Sequence, residues 1–137
     1  MSDPQEATNP DIPPRPQLEP MRIAAEARRQ MAAFQPGVLA EVRAAVDREP
    51  LVVVGMAQNP HVRNLRKVLD EAKIDYTYLE YGSYFSKWKE RLAIKLWSGW
   101  PTFPQVFLKG VLLGGEALTL AAIEDGSLKR TIAAGAS

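Results

Sequence analysis

Apolar positions recur along this chain with more than one spacing. Ile23, Ala27, Met31 and Phe34 are spaced 4, 4 and 3, a thin helical stripe that opens at Glu19-Pro20, with Pro20 as first helical residue, and is broken at Pro36-Gly37. A second helix follows, with Leu39, Val42 and Val46 on one face. Leu51-Val52-Val53-Val54 is short, continuous and β-branched, the pattern of a strand buried on both faces. After a loop over Gly55 to Gln58, Asn59-Pro60 pairs a favoured N-cap with a favoured first helical residue. Val62, Leu65, Leu69 and Ala72 then run at spacings of 3, 4 and 3. Tyr76-Thr77-Tyr78-Leu79 is β-prone. Ser83 is positioned to cap a helix reaching about Trp97, with Phe85, Trp88, Leu92 and Leu96 expected to face inward and Gly99 to end it.

Val106-Phe107-Leu108 and Val111-Leu112-Leu113 flank Lys109-Gly110, which predicts a β-hairpin. Gly114-Gly115 turns the chain into a last helix, Glu116 to Asp125, stopped by Gly126, and Ser127 to Ile132 is expected to add a turn of helix. The order α-α-β-α-β-α-β-β-α combines one right-handed parallel crossover with one antiparallel hairpin. A single mixed four-stranded sheet with helices on both faces satisfies it, an α/β fold.

Composition changes the picture at one end. The first twenty residues hold six of the eleven prolines, four acids and one base. So polar a stretch cannot bury enough to offset its ordering entropy, which predicts a disordered or polyproline II tail over residues 1–19. An accessory helix is expected over 20–35 and the folded domain over 36–134. The whole chain carries a formal charge of +1, too little for a general field toward nucleic acid or anionic lipid. No signal-like segment and no apolar run near the roughly 20 residues of a bilayer span is found, which predicts a cytoplasmic protein.

The decisive count is zero cysteines. It excludes a disulfide, a zinc–thiolate or iron–sulfur site ligated by this chain's own thiolates, and a thiol nucleophile. His61 is the single histidine, so a multi-histidine metal site within one chain is excluded too.

Trp100-Pro101-Thr102-Phe103-Pro104-Gln105, a strand, Lys109-Gly110 and Gly114-Gly115 together resemble the monothiol glutaredoxins. The resemblance spans about Val38 to Ile132 and implies a thioredoxin/glutaredoxin-like fold, glutathione chemistry and a place in cell redox homeostasis. In that family a cysteine stands between the first strand and its helix, in Cys-Gly-Phe-Ser-Arg or Cys-Pro-Tyr-Cys. The matching stretch here is Asn59-Pro60-His61-Val62-Arg63. Asn59 therefore occupies the nucleophile's place, and an amide can neither attack a mixed disulfide nor ligate a [2Fe–2S] centre.

The resemblance also implies a ligand groove. Its elements are the Thr102-Phe103 peptide before a cis Pro104, the N-terminus of the last helix at Gly114, Gly115 and Glu116, and Lys95 as a carboxylate-facing cation. Two further contacts are missing: Met56 stands where the family has a lysine, and Ala117 where it has an aspartate.

Plainer readings stand beside these. Asn59-Pro60 is fully explained as a helix cap. His61 fits a surface or packing residue, and Trp88, Trp97 and Trp100 fit core positions. Arg63, Arg66, Lys67 and Lys73 lack a groove-reading motif or interleaved aromatics, so nucleic acid is not the expected partner. The combined expectation is a cysteine-free pseudoenzyme with no cofactor. It would bind a protein or peptide partner, or a small glutathione-like thiol or carboxylate. Two alternatives stay open: a transferase-like enzyme using glutathione's own thiol, and a structural or oligomerisation subunit joined through the accessory helix.

Overall fold

A computed structural model describes residues 11–134. Residues 1–10, most of the expected tail, lie outside the described residues, and residues 11–19 form no helix or strand. One mixed sheet organises the rest. Strand β1 (Leu51–Gly55) pairs parallel with β2 (Thr77–Glu80) and antiparallel with β3 (Gln105–Leu108), and β3 pairs antiparallel with β4 (Val111–Gly114). The spatial order is β2-β1-β3-β4. Every side chain of β1 and β3 is buried, as a strand covered on both faces requires.

The helices are α1 (Ala25–Ala32), α2 (Pro36–Arg48), α3 (Pro60–Glu71), α4 (Trp88–Ser98), α5 (Glu116–Glu124) and α6 (Ser127–Ala134). Two apolar layers separate along the alternation of β1. Val52 and Val54 join Val42, Val46, Ile94 and Phe107 under α2 and α4. Leu51 and Val53 join Leu65, Leu69, Val106 and Leu108 under α3, with Ala122 of α5 and Leu128 of α6. α6 is thus a full eight-residue helix that buries Leu128, longer than the single turn expected.

Three sequence expectations are corrected. The continuous helix from Pro20 to Phe34 is split: Pro20–Arg22 forms a 3₁₀ turn, Ile23 is extended, and α1 buries no side chain. So short a helix has little stability of its own without a packed face to extend it. The helix expected from Ser83 begins at Trp88, because Lys87 takes a left-handed conformation at φ 55°. Its inward face is also different. Arg91, Ala93 and Ile94 are buried, whereas Phe85, Trp88, Leu92 and Leu96 are exposed, Phe85 at 94% and Leu96 at 66%. The buried stripe was disguised by its charged member. Arg91 is only 8% exposed, yet its guanidinium donates to the Tyr81 carbonyl at 2.9 Å and to the Ser86 carbonyl. Those bonds satisfy the charge and pin the turn before α4. Trp88 is exposed as well, while Trp97 and Trp100 are half-buried, with the Trp97 ring 5.7 Å from that of Phe107.

Candidate functional site

The end of β1 and the start of α3 form the first wall of the site. Gln58 is left-handed at φ 64°, and Asn59 is extended. The Asn59 side-chain oxygen accepts from the His61 N–H at 2.9 Å and the Val62 N–H at 3.1 Å. Pro60 has no N–H to offer. The amides that would face a thiolate at this position are therefore taken up by the residue that replaced it. The loop is tied to its neighbour by Ala57 N–H to Gly82 O at 2.7 Å and Tyr81 N–H to Gly55 O at 2.9 Å.

The second wall precedes β3. The Phe103–Pro104 peptide is cis, as the family resemblance implies. Phe103 is buried in the same cluster as Met56 and Val62, so its ring fastens this loop to the α3 turn. Lys95 is half-buried, with Nζ 5.6 Å from the Phe103 ring centroid. Thr102 is exposed. No main-chain hydrogen bond from Thr102 or Phe103 to any other described residue is formed. Beneath them Gln105 is fully buried: its amide donates to the Trp100 carbonyl at 2.9 Å, and its oxygen accepts from Ser98 Oγ at 2.8 Å. One side chain thus holds both ends of the bend.

The third wall is the start of α5. Gly114 has φ 126°, outside the range of other residues. A Cβ on Gly115 would lie 3.2 Å from Trp100 Nε1 and 3.3 Å from the Pro104 carbonyl, so a larger residue there would push α5 a few tenths of an ångström away from the cis-proline loop. That indole nitrogen is buried with no acceptor among the described residues. No side chain caps α5.

Sequence reasoning missed how the walls are joined. His61 Nδ1 lies 2.7 Å from Glu116 Oε1, and Asn64 Nδ2 donates to Glu116 Oε2 at 2.8 Å. Since a carboxylate only accepts, Nδ1 carries the proton. Glu116 is thus a strut between α3 and α5, and His61, a surface residue with its side chain 66% exposed, has a defined partner. The partners are 55 and 52 residues apart, beyond the reach of any local pattern.

Behind α3, a depression of about 510 Å³ is lined by Asn59, Arg63, Arg66, Lys67 and Tyr78 among others. Arg66 stacks 3.8 Å from the Tyr78 ring centroid and donates to the Tyr76 hydroxyl at 3.2 Å. Asp70, Glu71 and Glu80 share the same lining, so this face carries mixed charge.

Two phenols near the site are held protonated. Burial first, then the hydrogen bond to a carboxylate (Glu80 for Tyr78, Glu41 for Tyr81), pushes both well above the usual phenol range. An unfolded tyrosine ionises near pH ~10. Their contribution to stability is therefore complete below that pH and is lost as pH rises toward the higher folded values. Thermal unfolding at pH 9 and pH 11 should show a larger fall for the wild type than for a Tyr78→Phe/Tyr81→Phe variant. Equal falls would contradict the assignment.

Comparison with known proteins agrees with this architecture. The glutaredoxin family model matches residues 52–113. A glutaredoxin-like protein of Dictyostelium discoideum is 47% identical over 95 residues, covering 69% of this chain and 77% of that protein. Monothiol glutaredoxin-S17 of Arabidopsis thaliana is 37% identical over 81 residues, which is 58% of this chain but 16% of that larger protein. Among solved structures, the buckwheat glutaredoxin–glutathione complex superposes with a TM-score of 0.62 at 22% identity, covering 81% of this chain and 94% of that one. Wheat glutaredoxin gives 0.61 at 24% identity, covering 72% and 92%. The chain belongs to the glutaredoxin family, with an asparagine where that family resemblance places the nucleophilic cysteine.

Proposed function

We propose that this protein is a non-catalytic binding module built on the glutaredoxin scaffold, with no thiol chemistry of its own. The observation that carries the reading is the unpartnered main chain at Thr102 and Phe103, next to a cis-proline and beside an Asn59 that cannot react. Main-chain groups left without partners beside a sheet can pair with the main chain of an incoming peptide, and here Thr102 is exposed while the Phe103 side chain is turned into the core. The uncapped start of α5 at Gly115 and Glu116 offers N–H groups to a carboxylate, and Lys95 supplies a nearby cation. The ligand is thus an extended peptide of a protein partner, or a small γ-glutamyl or carboxylate compound such as glutathione. We place the protein in the cytoplasm, acting on redox homeostasis only through what it holds. Among the described residues no helix is long and apolar enough to cross a membrane.

The transferase-like alternative is weaker. It needs helix N–H groups to stabilise glutathione's thiolate, and Asn59 already takes those of His61 and Val62. Met56 and Ala117 supply neither of the two polar contacts that the resemblance implies. Amide chemical shifts followed during titration with reduced glutathione and with short extended peptides test both readings. Shifts centred on Thr102, Phe103, Gly115 and Glu116 with peptide are expected. Thiol–disulfide turnover with glutathione by the pure protein would reject the module. Absence of any glutathione response at millimolar concentration would dispose of the transferase reading alone.

A further inference from the structure

Exposed apolar side chains are not scattered over this protein. Among the described residues ten large hydrophobic side chains are exposed, and nine of them fall within residues 12–31 or 84–96. Isolated exposed leucines are ordinary, whereas a concentrated apolar face marks a binding surface. The two stretches meet beside α4. The N-terminal segment, α1, Leu39 of α2 and the outer face of α4 enclose an open groove of about 870 Å³. Nine of its twelve lining residues are apolar, two are glutamines, and Arg15 is the single charged one.

Arg15 sits at one end of this trough. It packs so closely on the last turn of α4 that a Cβ on Gly99 would come within 2.6 Å of its Nε. No carboxylate pairs with it among the described residues. Of the acids that follow it in the chain, Glu19 pairs with Arg22 and Glu26 with Arg29, each at 3.0 Å.

One unpaired cation at the end of an apolar trough matches one charge at the end of an apolar chain. We infer that this groove binds a long-chain carboxylate, its head group on Arg15 and its alkyl chain along Leu96, Leu92 and Met31. The size and polarity of the groove fit an amphiphile of this class. A flat bilayer would leave the floor of a concave groove unfilled.

Calorimetry on the full chain tests the inference, with hexadecanoate, dodecanoate and the neutral amphiphile dodecyl maltoside, each below its micellar range. Saturable one-to-one binding of hexadecanoate is expected, with affinity falling about fourfold for each buried methylene removed. Arg15→Ala should weaken both carboxylates about tenfold and leave the maltoside unaffected. Leu96→Asp, at a site 66% exposed and so compatible with folding, should abolish binding of all three. Absence of saturable binding would overturn the assignment, as would carboxylate affinity indifferent to Arg15→Ala. A dimer by light scattering that Leu96→Asp dissociates and hexadecanoate leaves intact would give the face to a second copy instead.

Discussion

Asn59→Cys should convert a site without a thiol into one that forms a mixed disulfide with glutathione. The substitution removes the carboxamide that occupies the His61 and Val62 N–H groups and puts a sulfur at the start of α3. A thiol there meets free N–H groups and the positive end of the helix, which lowers its pKa below the usual value of about 8.5. Loss of the cap costs about 1 kcal/mol, tolerable for a domain of this size. Because the natural chain has no cysteine, any adduct seen by mass spectrometry after exposure to glutathione disulfide lies at residue 59. The wild type should show none. Complete inertness of the variant would mean that the groove has lost its fit to glutathione along with its sulfur, which would narrow the ligand to peptides.

The largest loss of stability is expected from Leu65→Ala. Leu65 is 0% exposed and packs in the cluster of Val53, Leu69, Val106 and Leu108, between α3 and the sheet. Truncation there removes buried methyl groups and leaves a cavity, a cost of about 3 kcal/mol and a fall in Tm on the order of 10 °C. The same truncation at Leu96 should cost below about 0.5 kcal/mol, since that side chain already faces solvent. Thermal unfolding of the two variants separates the inner from the outer face of the fold. Equal losses would mean that α4 is packed on the stripe its periodicity suggested.

That contrast shows where the pattern of residues misled. Both Leu65 and Leu96 sit on stripes of helical spacing. On α3 the inward stripe is wholly apolar and the rest of the helix is mostly polar or charged, so the face was unambiguous. On α4 two stripes compete, and the apolar one lost. Arg91 occupies the buried stripe because carbonyls from Tyr81 and Ser86 satisfy its charge, a fact no local window contains. α1 carries a similar stripe but buries none of it.

The amino-acid sequence by itself determined the β-α-β-α-β-β-α core, the Asn59 cap, the hairpin and the absence of thiol chemistry. Each follows from local hydrogen bonding, short-range periodicity or simple composition. The cis bond at Pro104 was legible only through the family resemblance. Tertiary structure alone decided which face of α4 is buried, how Glu116 ties α3 to α5 through His61 and Asn64, and where Arg15 stands relative to the outer groove. These depend on contacts between distant residues, whose energies are fixed by the packed chain and leave no periodic trace in the order of its residues.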